Sequence, residues 1–185
     1  MKQNGNCCRK YIIVSLIPEP FAYRLKRFMD EIASITRIDP PHQKFPPHVT
    51  LHPPLIVVNE SDLHDLIRNT VLQVSGAKIT VNGLTAFGRN YIVLPVHQTQ
   101  NVAQLWVGLT KRLSLLDGYT PAVRMKGRVL HVTVAKKTYR IFPQVWPKIR
   151  SLQVEPMTIS LKEVALYRKI NGDPWKRIET FQIPT

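Results

Sequence analysis

The sequence predicts an α+β fold in which two similar halves form a single domain spanning residues 1–185. Three observations support this prediction. The tripeptide His-Val-Thr occurs twice, at 48–50 and 131–133. Strand-like and helix-like segments follow one another in nearly the same order around each copy. Hydrophobic residues make up 44% of the chain, enough for a core that needs neither disulfides nor metals.

The first half begins with a β-rich segment, 10–17, which is bounded by Pro18 and predicts a buried strand. Apolar residues at helical spacing then predict a helix over 20–35. Four prolines between 37 and 47 predict a loop. The remaining predicted elements of this half are a strand at 48–52, a helix from about 61 to 74 and a strand at 78–87.

The second half repeats this order after a short turn at 88–90. A helix is expected from 101 to 116, because its apolar residues form one stripe and Gly118 follows it. The other predicted elements are strands at 91–96, 129–135, 157–167 and 175–183, a loop at 119–128 and a short helix at 142–151.

The chain is strongly basic. Its 26 basic and 12 acidic residues give a net charge of +14, which favours an anionic partner such as nucleic acid or a phosphorylated small molecule. A basic surface that only maintains solubility is the alternative. Six basic residues and no acidic one fall between 119 and 140, around the second His-Val-Thr; they are Arg124, Lys126, Arg128, Lys136, Lys137 and Arg140.

Cysteine content and hydropathy bear on the cellular setting. The two cysteines, Cys7 and Cys8, are neighbours, and neighbouring cysteines rarely form a disulfide because the geometry is strained. No apolar run approaches the length of a membrane span, and no apolar region of a secretory signal is expected after the basic start. We therefore expect a cytoplasmic monomer that does not contact membranes.

The repeated His-x-Thr pattern places an imidazole and a hydroxyl on the same side of a strand. Residues i and i+2 of a strand point the same way, so His48 shares a face with Thr50, and His131 with Thr133. Across a cleft, one imidazole could take a proton from water while the other gives a proton to a leaving oxygen. The threonine hydroxyls could hold the phosphate oxygens. These four residues are the predicted catalytic set, and the scheme requires no metal or other cofactor.

Simpler interpretations of the motif have less support. A single His-x-Thr is common on half-exposed strands, but two copies in matching halves are not. His52 shares the parity of His48, and we expect it at the cleft rim. A zinc site from these two histidines would require a helix, which the flanking prolines exclude. We also expect Pro53 and Pro54 to end the strand.

The sequences HVTL at 48–51 and HVTV at 131–134, with the duplicated order of elements, resemble the 2H phosphoesterases. Within them the chain is similar to the 2′,5′-RNA ligase-like group, also described as RNA 2′,3′-cyclic phosphodiesterases. The resemblance implies a bilobal α+β fold, with two antiparallel-sheet lobes and flanking helices around a central cleft. It also implies that a 2′,3′-cyclic phosphate is opened to a 2′-phosphomonoester, with ligation as the reverse reaction. His48 would protonate the leaving 3′ oxygen and His131 would activate water.

The substrate is expected to be an RNA end or a cyclic nucleotide. A nucleoside beside the phosphate would need aromatic rings and cations, and the candidates are Tyr91, Arg128, Lys136 and Tyr139. Three other functions keep the same motif residues: hydrolysis of 2′,5′-linked oligoadenylate, hydrolysis of an ADP-ribose cyclic phosphate, and nucleotide or RNA-end binding without catalysis.

Overall fold

The computed structural model describes residues 9–122 and 129–185. Cys7, Cys8, Arg124, Lys126 and Arg128 therefore lie outside the described residues. Four α-helices occur in the described part: α1 (Phe21–Thr36), α2 (Glu60–Val71), α3 (Gln100–Leu113) and α4 (Phe142–Ile149). The strands there are β1 (Arg9–Leu16), β2 (His48–Ile56), β3 (Lys78–Val81), β4 (Thr85–Phe87), β5 (Tyr91–Gln98), β6 (Thr120–Pro121), β7 (His131–Lys136), β8 (Met157–Ser160), β9 (Glu163–Ile170) and β10 (Lys176–Gln182).

The strands form two antiparallel sheets of five strands each among these residues. The first sheet has the order β10-β9-β1-β2-β6. In the second, β3 and β4 pair with one edge of β5, β7 pairs with the other edge, and β8 pairs with β3. The predicted α+β fold with two antiparallel sheets is confirmed. The halves exchange strands, because β3 and β4 join the second sheet while β9 and β10 join the first.

The helices pack across the two halves. The buried residues of α1 (Ala22, Leu25, Met29, Ile32) recur at helical spacing. This helix contacts β7, and α3 contacts β2. Each motif strand is thus supported by the long helix of the other half, and one contiguous apolar core includes residues from both sheets. No helix in the described part of the chain is long and apolar enough to cross a bilayer.

Three predicted elements differ in detail from the observed ones. The strand expected at 78–87 is two strands, because the chain turns through Gly83, whose φ is +71°. The strand expected at 157–167 is likewise divided at 161–162. The two-residue strand β6 lies in the predicted loop at 119–128 and pairs with the end of β2.

The prediction that Pro53 and Pro54 end the motif strand is wrong. β2 continues to Ile56. Its pairing with β1 changes register twice in this stretch, and such irregular positions tolerate residues that cannot donate to the ladder. The carbonyl of Pro54 also accepts a hydrogen bond of 2.7 Å from the backbone N–H of Ala122.

The helix-covered face of the first sheet carries paired charges. The hydroxyl of Tyr11 donates to a carboxylate oxygen of Glu60 at 2.7 Å, and Arg168 binds the same carboxylate at 2.9 Å. Burial raises the pKa of Glu60, but these two hydrogen bonds outweigh it and hold the pKa below its usual value. His64 and Arg68 of α2 bind Glu179 of β10. The carboxylates of Glu60 and Glu179 are therefore both paired on this face.

Candidate active site

The two His-Val-Thr segments are the first three residues of β2 and of β7. On each strand the valines are fully buried, whereas the histidine and threonine keep partial exposure. In the first sheet, His48 lies opposite Leu16, and Thr50 opposite Val14. Cross-strand partners share a face, so the alternation expected from the sequence is present up to each threonine.

Both motif strands change register immediately after the threonine. In β2, Thr50 faces Val14 while His52 faces Ile13, so Leu51 is the extra residue. His52 is consequently turned into the core, where it has no exposed surface. Its Nδ1 bonds the carbonyl of Pro53 at 2.8 Å and its Nε2 lies 3.1 Å from the hydroxyl of Tyr119. The expectation that His52 lines the cleft rim is therefore wrong, because simple alternation does not survive a bulge.

In β7, the same irregularity brings Lys136 to the site. Thr133 faces Val93, but the next pairs are Ala135 with Ile92 and Lys136 with Tyr91. Alternation alone would bury Lys136, whereas the extra residue at Val134 returns it to the side of the motif residues. Burial, and then the positive charges of Lys44 and Lys137, lower the pKa of the Lys136 ammonium.

The two imidazoles are held by equivalent hydrogen bonds. His48 Nδ1 lies 2.7 Å from the carbonyl oxygen of Pro46, and His131 Nδ1 lies 2.9 Å from that of Val129. In each case the acceptor is two residues before the histidine. Because a carbonyl can only accept, both Nδ1 atoms donate, and Nε2 is the basic nitrogen of each neutral ring.

An aromatic ring packs edge-on against each imidazole. The centroid of Phe45 lies 4.5 Å from that of His48, and the centroid of Phe87 lies 4.9 Å from that of His131. Neither phenylalanine was predicted. Phe45 is three residues before His48, and this short separation could have suggested a local contact. Phe87 contacts His131 across the sheet, and no local sequence pattern indicates a contact between residues so far apart in the chain.

The second histidine lies close enough to act on the first. Thr50 and His131 line one small cavity with Trp106 and Leu130. Burial is the main cause that lowers the pKa of His48 from 6.5 to about 4. The charges of His131 and Lys136 act in the same direction, and the bond to the Pro46 carbonyl opposes them. The structure thus brings both motif strands to one site where an anion would be attracted.

Comparison with known proteins agrees with this geometry. A sequence profile described as the 2′-5′ RNA ligase superfamily matches residues 19–173, which is more than half of the chain. The chain belongs to the 2′-5′ RNA ligase superfamily. The resemblance to 2H phosphoesterases read from the two motifs is confirmed. No curated protein shows significant sequence similarity to it.

Several solved structures share the fold at low sequence identity. TT0787 of Thermus thermophilus has a TM-score of 0.63 and 17% identity, covering 94% of this chain and 97% of its own. Escherichia coli LigT complexed with 3′-AMP has a TM-score of 0.56 and 11% identity, with 96% and 99% covered. Kluyveromyces marxianus Usb1 with uridine monophosphate has a TM-score of 0.51 and 15% identity, with 96% and 98% covered.

The other three predicted substrate residues differ in where they lie relative to the motif residues. Tyr91 lies between Phe87 and Lys136 in the sheet register and is 47% exposed. Tyr139 lies in the turn after β7 and is 60% exposed, without a described contact to the motif residues. Arg128 lies outside the described residues. No group of three or more His, Cys, Asp or Glu side chains within 9–122 and 129–185 is arranged to hold a metal ion.

Proposed function

We propose that this protein is a metal-independent phosphodiesterase that opens 2′,3′-cyclic phosphate ends of RNA or nucleotides to 2′-phosphomonoesters. The proposal rests on the matched pair of imidazoles. In each, Nδ1 donates a hydrogen bond to the carbonyl oxygen two residues earlier in the chain, and a threonine follows on the same strand. One basic nitrogen and one protonated nitrogen on opposite sides of a phosphorus atom are what in-line displacement requires.

In this scheme the hydroxyls of Thr50 and Thr133 and the ammonium of Lys136 bind the non-bridging oxygens. Nε2 of His131 takes a proton from water as the water oxygen bonds to phosphorus. The bond between phosphorus and the 3′ oxygen breaks, and Nε2–H of His48 gives its proton to that oxygen. The products are a 2′-phosphomonoester and a free 3′ hydroxyl, and proton exchange with solvent restores both imidazoles.

This assignment requires that substrate raise the pKa of His48. In the protein without substrate, a pKa of about 4 leaves the His48 ring neutral at pH 7. A bound phosphate anion favours the imidazolium and opposes the charges that lower this pKa. Product binding by the wild type at pH 6 should therefore take up a proton, which calorimetry in two buffers of different ionisation enthalpy would measure. An equal uptake by His48→Gln would contradict the donor role.

The central test is hydrolysis of RNA that ends in a 2′,3′-cyclic phosphate, with a chelator present. We expect His48→Ala and His131→Ala each to lower kcat about 10²- to 10⁴-fold, with thermal melting near that of the wild type. His97→Ala is the control histidine, because His97 is exposed on β5 opposite Thr80 and belongs to neither His-Val-Thr segment. Undiminished hydrolysis by either motif variant would contradict the proposal.

The nature of the products and ligands tests the alternatives. A 3′-phosphate product would mean that the 2′ oxygen leaves. Preferential cleavage of 2′,5′-linked oligoadenylate or of an ADP-ribose cyclic phosphate would show that the substrate belongs to that class instead. Tight binding without turnover would indicate a binding module. The structures of LigT with 3′-AMP and of Usb1 with uridine monophosphate support a nucleotide as the ligand. Monomeric state and cytoplasmic location stay predictions.

A further inference from the structure

The face of the first sheet that carries His48 and Thr50 continues onto β1, β9 and β10. Val14 pairs with Thr50 on one side and with Ala165 on the other. One step further along the same face, Ile12 pairs with Tyr167, which pairs in turn with Arg177. Since cross-strand partners share a face, these residues extend the candidate active site sideways across three strands.

The part of this face next to the His48 imidazole consists of aromatic rings. Phe45 touches His48 on one side, and on the other its ring centroid lies 4.4 Å from that of Tyr167. Trp175 packs against the same small cluster of Val14, Ala165 and Tyr167. Phe45 and Trp175 are only partly buried, so parts of their rings remain available to a ligand.

Cations lie at the far end of the same face. Lys10 pairs with Lys169, two positions beyond Ile12 and Tyr167, and Arg177 lies opposite Tyr167. None of the three forms an ion pair with a described residue. On the helix-covered face, Arg168, the neighbour of Lys169 in sequence, is paired with a carboxylate at 2.9 Å.

We infer that this surface binds the single-stranded RNA that precedes the cyclic phosphate end. We call it the basic–aromatic surface, and its residues are Lys10, Phe45, Tyr167, Lys169, Trp175 and Arg177. The inference rests on the proposed function and deepens it, because it makes the substrate a polynucleotide end and not a free mononucleotide.

The chemistry of the surface matches single-stranded RNA. Unpaired bases stack on aromatic side chains whatever their identity, and cations follow the phosphates. β2 and β10 are three strand spacings apart, about 14 Å, so a chain whose end sits at His48 must extend past its terminal nucleoside to reach Arg177. One acidic residue, Glu163, lies on this face at the start of β9 and faces Gln182, at the opposite end from the lysine pair.

The test compares two substrates in the full-length protein: a nucleoside 2′,3′-cyclic phosphate and a short single-stranded RNA with the same terminal group. The triple variant Lys10→Ala/Lys169→Ala/Arg177→Ala should lower kcat/KM for the RNA about tenfold and leave that for the nucleoside substrate near the wild-type value. The matched control removes three exposed lysines from β3, α3 and α4, as Lys78→Ala/Lys111→Ala/Lys148→Ala, and should change neither.

Binding provides a second measurement that does not depend on catalysis. Fluorescence anisotropy with a labelled single-stranded RNA ending in a 3′-phosphate should show weaker binding by the triple variant. Its slope of log affinity against log salt should be shallower by about 2. Trp175→Ala should weaken binding without changing that slope, after a thermal melt has shown that the variant is folded.

The outcomes separate this inference from the proposed function. Hydrolysis of neither substrate by the wild type, with the binding difference intact, would overturn the reaction but support the surface. Equal losses on both substrates, an equal loss in the control variant, or an unchanged salt slope would overturn the surface while leaving the catalytic proposal in place.

Discussion

The lowered pKa of His48 predicts a specific dependence of stability on pH. An unfolded chain protonates this histidine near its ordinary pKa of 6.5, whereas the folded protein does so near about 4. Between these values the unfolded state binds more protons. The free energy of unfolding therefore falls as the pH falls through this window, and below about pH 4 this residue adds no further loss.

The size of the effect follows from the two pKa values. With 1.36 kcal/mol per pKa unit, lowering the pH from 7 to 5 should cost at most about 2 kcal/mol through His48. Its partial exposure reduces this figure through solvent screening. The carboxylates titrate in the same experiment, so the effect must be isolated with a variant that does not titrate at this position.

Urea denaturation at pH 7 and pH 5 provides the measurement, in buffers without phosphate. His48→Gln keeps a side chain that donates hydrogen bonds but removes the titration, so over this range it should lose less free energy than the wild type, by up to about 2 kcal/mol. His97→Gln should behave like the wild type. If the wild type and His48→Gln lose the same free energy, then the imidazole is not held neutral by its surroundings.

Substitutions at three other positions, two of them with a control variant, test local features of the fold and site. Phe87→Leu removes the ring packed against the second imidazole; kcat should fall about tenfold with little change in KM, and Phe87→Tyr should restore it. Gly118→Ala should lower the free energy of unfolding by about 2 kcal/mol, because φ is +64° and an added Cβ would lie 2.5 Å from Val58. Gly83→Ala, with a similar φ but open space, should cost about 1 kcal/mol. Tyr11→Phe removes a hydroxyl that donates a hydrogen bond of 2.7 Å to the carboxylate of Glu60 in α2. Urea denaturation should show that the free energy of unfolding falls by about 2 kcal/mol.

Local periodicity was sufficient to predict the main elements and the motif pairs. Of the apolar stripe that predicted α1, Leu25 and Ile32 lie in the core as expected. The alternation of His48 and Thr50 with buried residues also holds. These features depend on neighbours a few residues apart, which is the range over which a sequence pattern carries information.

Register shifts and exchanged strands were not predictable in this way. The extra residues Leu51 and Val134 are defined only by the pairing partners of β2 and β7, and nothing in either tetrapeptide marks them. For the same reason His52 was wrongly placed at the rim. The joining of β9 and β10 to β1 depends on tertiary packing, and with it the alignment of Tyr167 beside Phe45.

The two bulges, taken together, give the site an asymmetry that the repeated motif alone does not have. The position reached after the bulge is Pro53 in the first half and Lys136 in the second. Two identical histidine–threonine pairs would accept a phosphate in either of two opposite orientations. The Lys136 ammonium beside one side of the phosphate makes these orientations unequal in energy. The first sheet adds to the difference, because aromatic rings and cations extend from His48. A substrate with a nucleoside on only one side of its phosphate would therefore be held in one direction, and that direction determines which imidazole meets the leaving oxygen.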